Sequence, residues 1–183
     1  MNNFAKLFVV IGSVTTLQIA LPGGNKTMHE SPFIIDLTVE QKQGLSAVLV
    51  NQSDNTQPYL HIAFLQRSEI VLTSDSNERL EPFDTRSVRK FDNTVHEYSF
   101  QELPPKESVL LGSTIISWND ENGYSITWGP FKFSGVPKGA YSAQVCWESG
   151  INKWYDDKTH SFVEVENIWL GKLCSNTVTL VLS

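Results

Sequence analysis

Residues 33–50 read FIIDLTVEQKQGLSAVLV, and this stretch predicts two consecutive strands of an antiparallel sheet. Apolar residues occupy every second position of 33–39, as on a strand with one buried face. After a polar turn at 41–44, apolar residues return at every second position of 45–49. A period of two on both sides of a turn is typical of a hairpin that covers a core.

The same alternation returns near the carboxyl end of the chain. The residues predicted to face inward there are Tyr141, Ala143, Val145, Trp147, Val178, Leu180 and Leu182. No segment after residue 30 shows an apolar stripe of helical period and length. Strands at short intervals without helices predict an all-β, antiparallel sandwich or barrel of roughly eight strands.

The clearest turn lies at 121–123, Glu-Asn-Gly. A three-residue loop there places Trp118 opposite Ile126 and Ile116 opposite Trp128, with apolar side chains on one face. Glycine at its third position suits the left-handed conformation of a bulge turn. We therefore predict a hairpin with this register.

Length and charge exclude several classes of protein. The chain has 183 residues, 40% of them hydrophobic and only 19% charged, which excludes a disordered tail. A net charge of −6 argues against binding nucleic acid through its phosphates. One domain is expected at this length, and we assign it to residues 31–183.

The first thirty residues have the layout of a secretory signal and linker. Lys6 precedes an apolar run at 7–11, and Pro22-Gly23-Gly24 follows. The run is too short and too interrupted for an integral membrane span. The alternative is an ordinary first strand. We expect export to an extracytoplasmic compartment, either secreted or periplasmic.

The two cysteines, Cys146 and Cys174, could form one disulfide if the protein is exported. If Val145 pairs with Val178, however, Cys146 points outward and Cys174 inward. A bulge at Ser175-Asn176 would reset that parity. Two separate thiols remain the alternative.

A search for catalytic and metal-binding motifs is negative. The four histidines are far apart, and no nucleophile elbow, phosphate loop or dinucleotide fingerprint is present. We expect neither an enzyme nor a cofactor nor a metal site. Asn25-Lys26-Thr27 and Asn51-Gln52-Ser53 fit the short glycosylation pattern, which recurs by chance.

Two polar segments are candidate contact surfaces. Aromatic residues between charges suit a recognition loop at 149–159, although Trp154 could instead cover the end of the core. A basic cluster that includes Arg79 suits an acidic partner, or is a solvated loop. The predicted partner-binding residues are Trp154, Tyr155, Asp156, Asp157, Arg86, Arg89 and Lys90.

Several phrases resemble those of bacterial immunoglobulin-like domains of the intracellular-proteinase-inhibitor type. They are Asn51-Gln52-Ser53-Asp54, residues 103–109, Gly139-Ala140-Tyr141-Ser142-Ala143, and Ser175-Asn176 before the last strand. The resemblance spans residues 33–183 and implies an immunoglobulin-like sandwich. It supports this fold more than it supports an inhibitory role.

These observations predict a non-catalytic binding module that recognises another protein through its loops. Proteinase inhibition is the sharpest version of that prediction. The alternative is a carbohydrate-binding module that uses Trp154, Tyr155 and Trp169.

Overall fold

β-Strands are the main secondary structure of the protein. The computed structural model describes residues 31–40, 44–61, 68–84 and 95–183. Those residues form fifteen strands and one 3-10 turn, Glu97–Ser99, with no α-helix among them. The strands are β1 (Phe33–Val39), β2 (Leu45–Asn51), β3 (Gln57–Leu60), β4 (Ser68–Ser74), β5 (Phe83–Asp84), β6 (Phe100–Leu103), β7 (Ser108–Ser113), β8 (Ile115–Asn119), β9 (Gly123–Trp128), β10 (Phe131–Val136), β11 (Gly139–Ser149), β12 (Lys153–Asp156), β13 (Ser161–Glu164), β14 (Gly171–Cys174) and β15 (Val178–Leu182). The chain is therefore all-β as predicted, with shorter and more numerous strands than the roughly eight expected.

Three larger antiparallel sheets enclose the core. Their strand orders are β1-β2-β7, β5-β10-β9-β8, and a sheet centred on β11, which pairs with β4, β14 and β15. The pairs β3–β6 and β12–β13 stand outside them. Side chains from all three sheets meet in one buried cluster that includes Phe33, Trp128 and Trp147. This arrangement is consistent with a β-sandwich, and no described segment is a helix long and apolar enough to cross a bilayer.

Alternation predicts the buried faces correctly. Every apolar residue predicted to face inward on β2 and β11 is buried. The exceptions on β1 and β15 are Val39, which is exposed, and Val178, which is partly buried. Both lie at strand ends, and Val178 still packs against the core.

The β8–β9 hairpin keeps its predicted face but not its predicted register. Trp118 pairs with Tyr124 and Ile116 with Ile126, so the predicted partners Ile126 and Trp128 are wrong. Gly123 does adopt a left-handed conformation, with φ of 75°. The two registers differ by two residues, so they place the same side chains on the same face. Alternation alone therefore does not distinguish them.

A bulge between β14 and β15 resets the register along β11. Ala143 pairs with Val178, whereas Cys146 pairs with Cys174, so four steps on one side oppose three on the other. Ser175 occupies the bulge. Its N–H donates to the Val145 oxygen at 2.8 Å, and its hydroxyl accepts from the Val145 N–H at 3.0 Å. Val145 therefore does not pair with Val178 as expected.

Asn176, the next residue, joins two sheets. Its Oδ1 accepts from the Leu37 N–H at 2.8 Å, and its Nδ2 donates to the Leu37 oxygen at 2.9 Å. The side-chain amide thus gives β1 the donor and acceptor that a neighbouring strand would supply. It covers the outer edge of β1 at this position.

Asn51, at the end of β2, is fully buried and links two connections. Its Nδ2 donates to the backbone oxygens of Asn55, Leu103 and Pro104 at 2.8, 2.9 and 3.1 Å. Its Oδ1 accepts from the N–H and the hydroxyl of Ser53 at 3.0 and 2.7 Å. A buried amide with both ends satisfied fixes the turn after β2 against the connection after β6.

Candidate functional site

The predicted recognition loop is a β-hairpin. β12 pairs with β13, and residues 157–160 form the turn between them. The Asp156 carboxylate accepts from the Lys158 N–H and from the Thr159 hydroxyl, each at 2.9 Å. These two hydrogen bonds hold the pKa of Asp156 below its ordinary value of 3.8. Asp156 is therefore a turn-capping residue, and its neighbour Asp157 is exposed at the tip.

One side of this hairpin is an aromatic face, formed by Lys153, Tyr155, Phe162 and Glu164. Tyr155 pairs directly with Phe162, with ring centroids 5.4 Å apart in an edge-to-face arrangement. The Lys153 ammonium lies 5.0 Å from the Phe162 ring centroid. Phe162 nevertheless remains 64% exposed. The hairpin therefore keeps the Phe162 ring in a defined position while most of its surface is exposed to solvent.

Trp154 belongs to the opposite side of the hairpin. It pairs with Val163 and is half-buried. The 3-10 turn lies against β12 and carries the exposed Tyr98, whose ring stacks on His96 with centroids 5.1 Å apart. Two of the predicted residues, Trp154 and Tyr155, therefore share a strand but face in opposite directions.

Trp169, not Trp154, covers the core. Its ring centroid lies 6.5 Å from that of Phe33 and 5.7 Å from that of Trp147. Gly171 approaches so closely that a Cβ there would lie 2.8 Å from the Trp169 ring. Trp154, Tyr155 and Trp169 therefore do not form one flat aromatic row.

The predicted basic cluster falls mostly outside the described residues. Arg86, Arg89 and Lys90 lie in the undescribed segment 85–94. Arg79 is described and exposed, and its Nε lies 3.7 Å from a Glu81 carboxylate oxygen. The part of this prediction that rests on Arg86, Arg89 and Lys90 stays a prediction.

Cys146 and Cys174 are joined by a disulfide. They stand directly opposite each other on β11 and β14, with Cα atoms 4.0 Å apart. The Ser175 bulge allows this pairing, because it resets the parity that would otherwise turn the two side chains to opposite faces. Of the alternatives left open by the sequence, the bulge with a disulfide is the correct one.

Other candidate chemistry is limited. Among the described residues, no group of three or more His, Cys, Asp or Glu side chains is placed to hold a metal ion. Asn51 has its amide buried in hydrogen bonds, so it is not accessible for glycosylation in the folded protein. Asn25-Lys26-Thr27 lies outside the described residues. The expectation that the chain is not an enzyme stays a prediction.

Comparison with known proteins gives no significant match. No family model, no curated protein and no solved structure matches the chain significantly. A proposal of function therefore has to start from the geometry of the described residues.

Phe162 completes the aromatic face, and it lies outside the predicted recognition segment 149–159. Lys153 lies inside that segment but is not among the predicted partner-binding residues. The segment Ser161–Glu164 is only four residues long, and it follows a polar stretch. The available signal was a pair of short aromatic-containing segments, 153–156 and 161–164, separated by four polar residues. Such spacing is compatible with a hairpin that has a four-residue connection.

Proposed function

We propose that the chain is the non-catalytic binding module of an exported protein, and that it recognises another protein through the aromatic face of the β12–β13 hairpin. The observation that supports this most is the exposure of Phe162, held in place by Tyr155 and Lys153. Burying a phenylalanine side chain contributes about 2 kcal/mol. A partner would recover that free energy with little loss of side-chain entropy, since the ring is already positioned.

The composition of this face favours a protein partner. Aromatic residues contribute much of the binding energy at protein interfaces, and charged residues at the rim of the patch tune specificity. Lys153 and Glu164 pair across the strands beside the two rings, so the face carries both signs of charge. A flat row of exposed rings would favour a sugar ligand, whereas Tyr155 and Phe162 meet at an interplanar angle of 70°. We therefore favour protein over carbohydrate.

We further propose that the sandwich is immunoglobulin-like, of the intracellular-proteinase-inhibitor type. Two of the phrases that carry this resemblance meet in the structure. Asn51 opens the first, and its side-chain amide binds the backbone of Leu103 and Pro104, which open the second. The most specific version of this proposal is that the partner is a proteinase. Inhibition assays with a panel of purified proteinases and chromogenic substrates test that version directly.

Export is supported by the disulfide together with the signal-like residues 1–30. Disulfides persist in oxidising compartments and are rare in the reducing cytosol. The mass of the protein recovered from culture medium or periplasm, compared with that of the full chain, tests both points.

Comparative affinity capture tests the binding proposal. The full chain, Phe162→Ala and Phe83→Ala are immobilised separately and exposed to the same extracellular protein mixture. Phe83 is a matched control, because it is 57% exposed and lies on β5. We expect a protein that the wild type and Phe83→Ala retain and that Phe162→Ala loses. Equal retention by all three would overturn the assignment of the hairpin.

A further inference from the structure

The β12–β13 hairpin lies in a long stretch of chain that is exposed or only partly buried. None of residues 150–174 is buried, although the segment supplies three strands. Six consecutive residues, 157–162, are exposed. Among the described strands, β12 and β13 pair only with each other. A two-stranded hairpin without a buried face is marginally stable in water, so this segment opens locally more readily than the sandwich does.

A lysine stands at the tip of this hairpin. Lys158 and Thr159 lie in the turn between the two strands, and both are exposed. Exposed loop tips with polar residues are preferred sites of proteolytic cleavage. A proteinase whose primary specificity pocket contains a carboxylate accepts a lysine side chain before the cleaved bond. The Lys158–Thr159 bond therefore combines an accessible tip with the side chain that such a pocket binds.

Two other exposed lysines in connections are held more firmly. Opening the connection at Lys138 would withdraw Val136 and Tyr141, which are both buried, from the core. At the other, the backbone N–H of Lys106 donates to the Asn51 oxygen at 3.0 Å. When opening and closing are fast, cleavage by a proteinase follows the population of the locally open form. We therefore expect slower cleavage at these two lysines than at the tip of the hairpin.

The disulfide lies at the base of the same segment. Cys146 precedes the hairpin and Cys174 follows it, and the bond joins β11 to β14. A cut after residue 158 therefore gives two chains that remain covalently joined. Tyr155 is then on one chain and Phe162 on the other. The two strands lose the turn that fixes their register, and with it the edge-to-face packing of these rings.

We propose that the Lys158–Thr159 peptide bond is a processing site for a lysine-specific proteinase, and that cleavage there dismantles the aromatic face while the disulfide keeps both chains together. Hydrolysis consumes one water molecule and leaves a carboxylate on Lys158 and an amine on Thr159. No other bond changes. The loss of a contact surface rests on the function proposed for the hairpin, whereas the cleavage site does not.

Limited digestion of the folded full chain with a lysine-specific endoproteinase, followed by mass spectrometry, tests the site. Fragment 159–183 should appear only after reduction with dithiothreitol. We expect cleavage after Lys158 to be at least about tenfold faster than cleavage after Lys138. Lys158→Gln removes the site and leaves cleavage after Lys138 unchanged. Equal rates at the two lysines, or no cleavage after Lys158, would overturn the proposal.

Hydrogen exchange of the cleaved, non-reduced protein tests the loss of the aromatic face. We expect the backbone amides of 153–156 and 161–164 to exchange at least about tenfold faster than in the intact chain, because their strands no longer share a turn. The amides of β2 keep their protection and serve as the control. Unchanged exchange in both hairpin strands would show that the face survives cleavage. Neither measurement uses a partner, so both results stand if the protein-binding proposal fails.

Discussion

Replacing Asn51 by alanine tests how the turn after β2 is held to the connection after β6. The side chain is fully buried and makes five hydrogen bonds. The bond to the Leu103 oxygen is enclosed, and its loss leaves a buried carbonyl without that donor, at a cost of about 2 kcal/mol. The other four lie in partly buried surroundings where water can substitute, so each contributes about 0.5 kcal/mol.

We therefore expect Asn51→Ala to lower the free energy of unfolding by about 4 kcal/mol. For a chain of this length, that loss lowers the melting temperature by about 10 °C. Urea unfolding followed by tryptophan fluorescence measures the change, because Trp128 and Trp147 are buried in the core. Asn55→Ala is the matched control, since Asn55 is exposed and contributes a backbone oxygen to the network.

A second substitution separates hydrogen bonding from simple loss of volume. Asn51→Asp keeps the size of the side chain but turns a carboxylate towards the Leu103 and Pro104 oxygens. Burial and these oxygens raise the folded-state pKa of the introduced carboxyl above its unfolded value of about 3.9. Its deficit in stability is therefore largest at neutral pH and shrinks as the pH falls through the raised folded pKa. The reasoning is refuted if Asn51→Ala unfolds at the same urea concentration as Asn55→Ala, or if the Asn51→Asp deficit is independent of pH.

Three further predictions concern the disulfide, the hairpin turn and the β8–β9 turn. The Cys146–Cys174 disulfide closes a loop with a sequence separation of 28, so we expect reduction of the disulfide to lower the free energy of unfolding by about 3.5 kcal/mol. Identical urea midpoints with and without dithiothreitol would contradict this prediction. Because the pKa of Asp156 is depressed, its capping hydrogen bonds stabilise the hairpin above pH 3.8, and this stabilisation is lost as the pH falls through the lower folded-state pKa. An NMR titration of the Asp156 carboxyl carbon should therefore give a midpoint below 3.8. A midpoint at or above 3.8 would show that the cap is absent. Gly123→Ala places a Cβ 2.9 Å from the Val136 oxygen at a φ of 75°, so we expect it to destabilise the fold by about 2 kcal/mol. The control is Gly44→Ala, whose Cβ meets nothing closer than 3.9 Å and is tolerated. Equal melting temperatures for the two variants would refute the assigned turn.

The buried faces were predictable because successive side chains of a strand point to opposite faces, so a period of two in the sequence marks the buried side. On β2 and β11, each second side chain must enter the core, and each apolar residue in that position does so. The cysteine pairing was not predictable in this way. It depends on Ser175, whose hydroxyl accepts from Val145, and a period of two does not contain a one-residue bulge.

The candidate site was predictable only in part. Trp154 and Tyr155 were identified as aromatic residues among charges, but their opposite directions follow from the pairing of β12 with β13. Phe162 was missed because its importance comes from its position across the hairpin from Tyr155. Exposure of an apolar residue is a tertiary property, and a four-residue strand is too short to reveal it by periodicity.

The affinity of the captured partner for the chain and its variants tests the central claim most directly. Isothermal titration calorimetry with wild type, Phe162→Ala and Phe83→Ala gives the three dissociation constants under one set of conditions. If the aromatic face of the hairpin is the contact, Phe162→Ala raises the Kd at least about tenfold, as loss of an interface hot spot does, and Phe83→Ala leaves it unchanged. Equal Kd values for Phe162→Ala and the wild type would place the contact elsewhere on the protein.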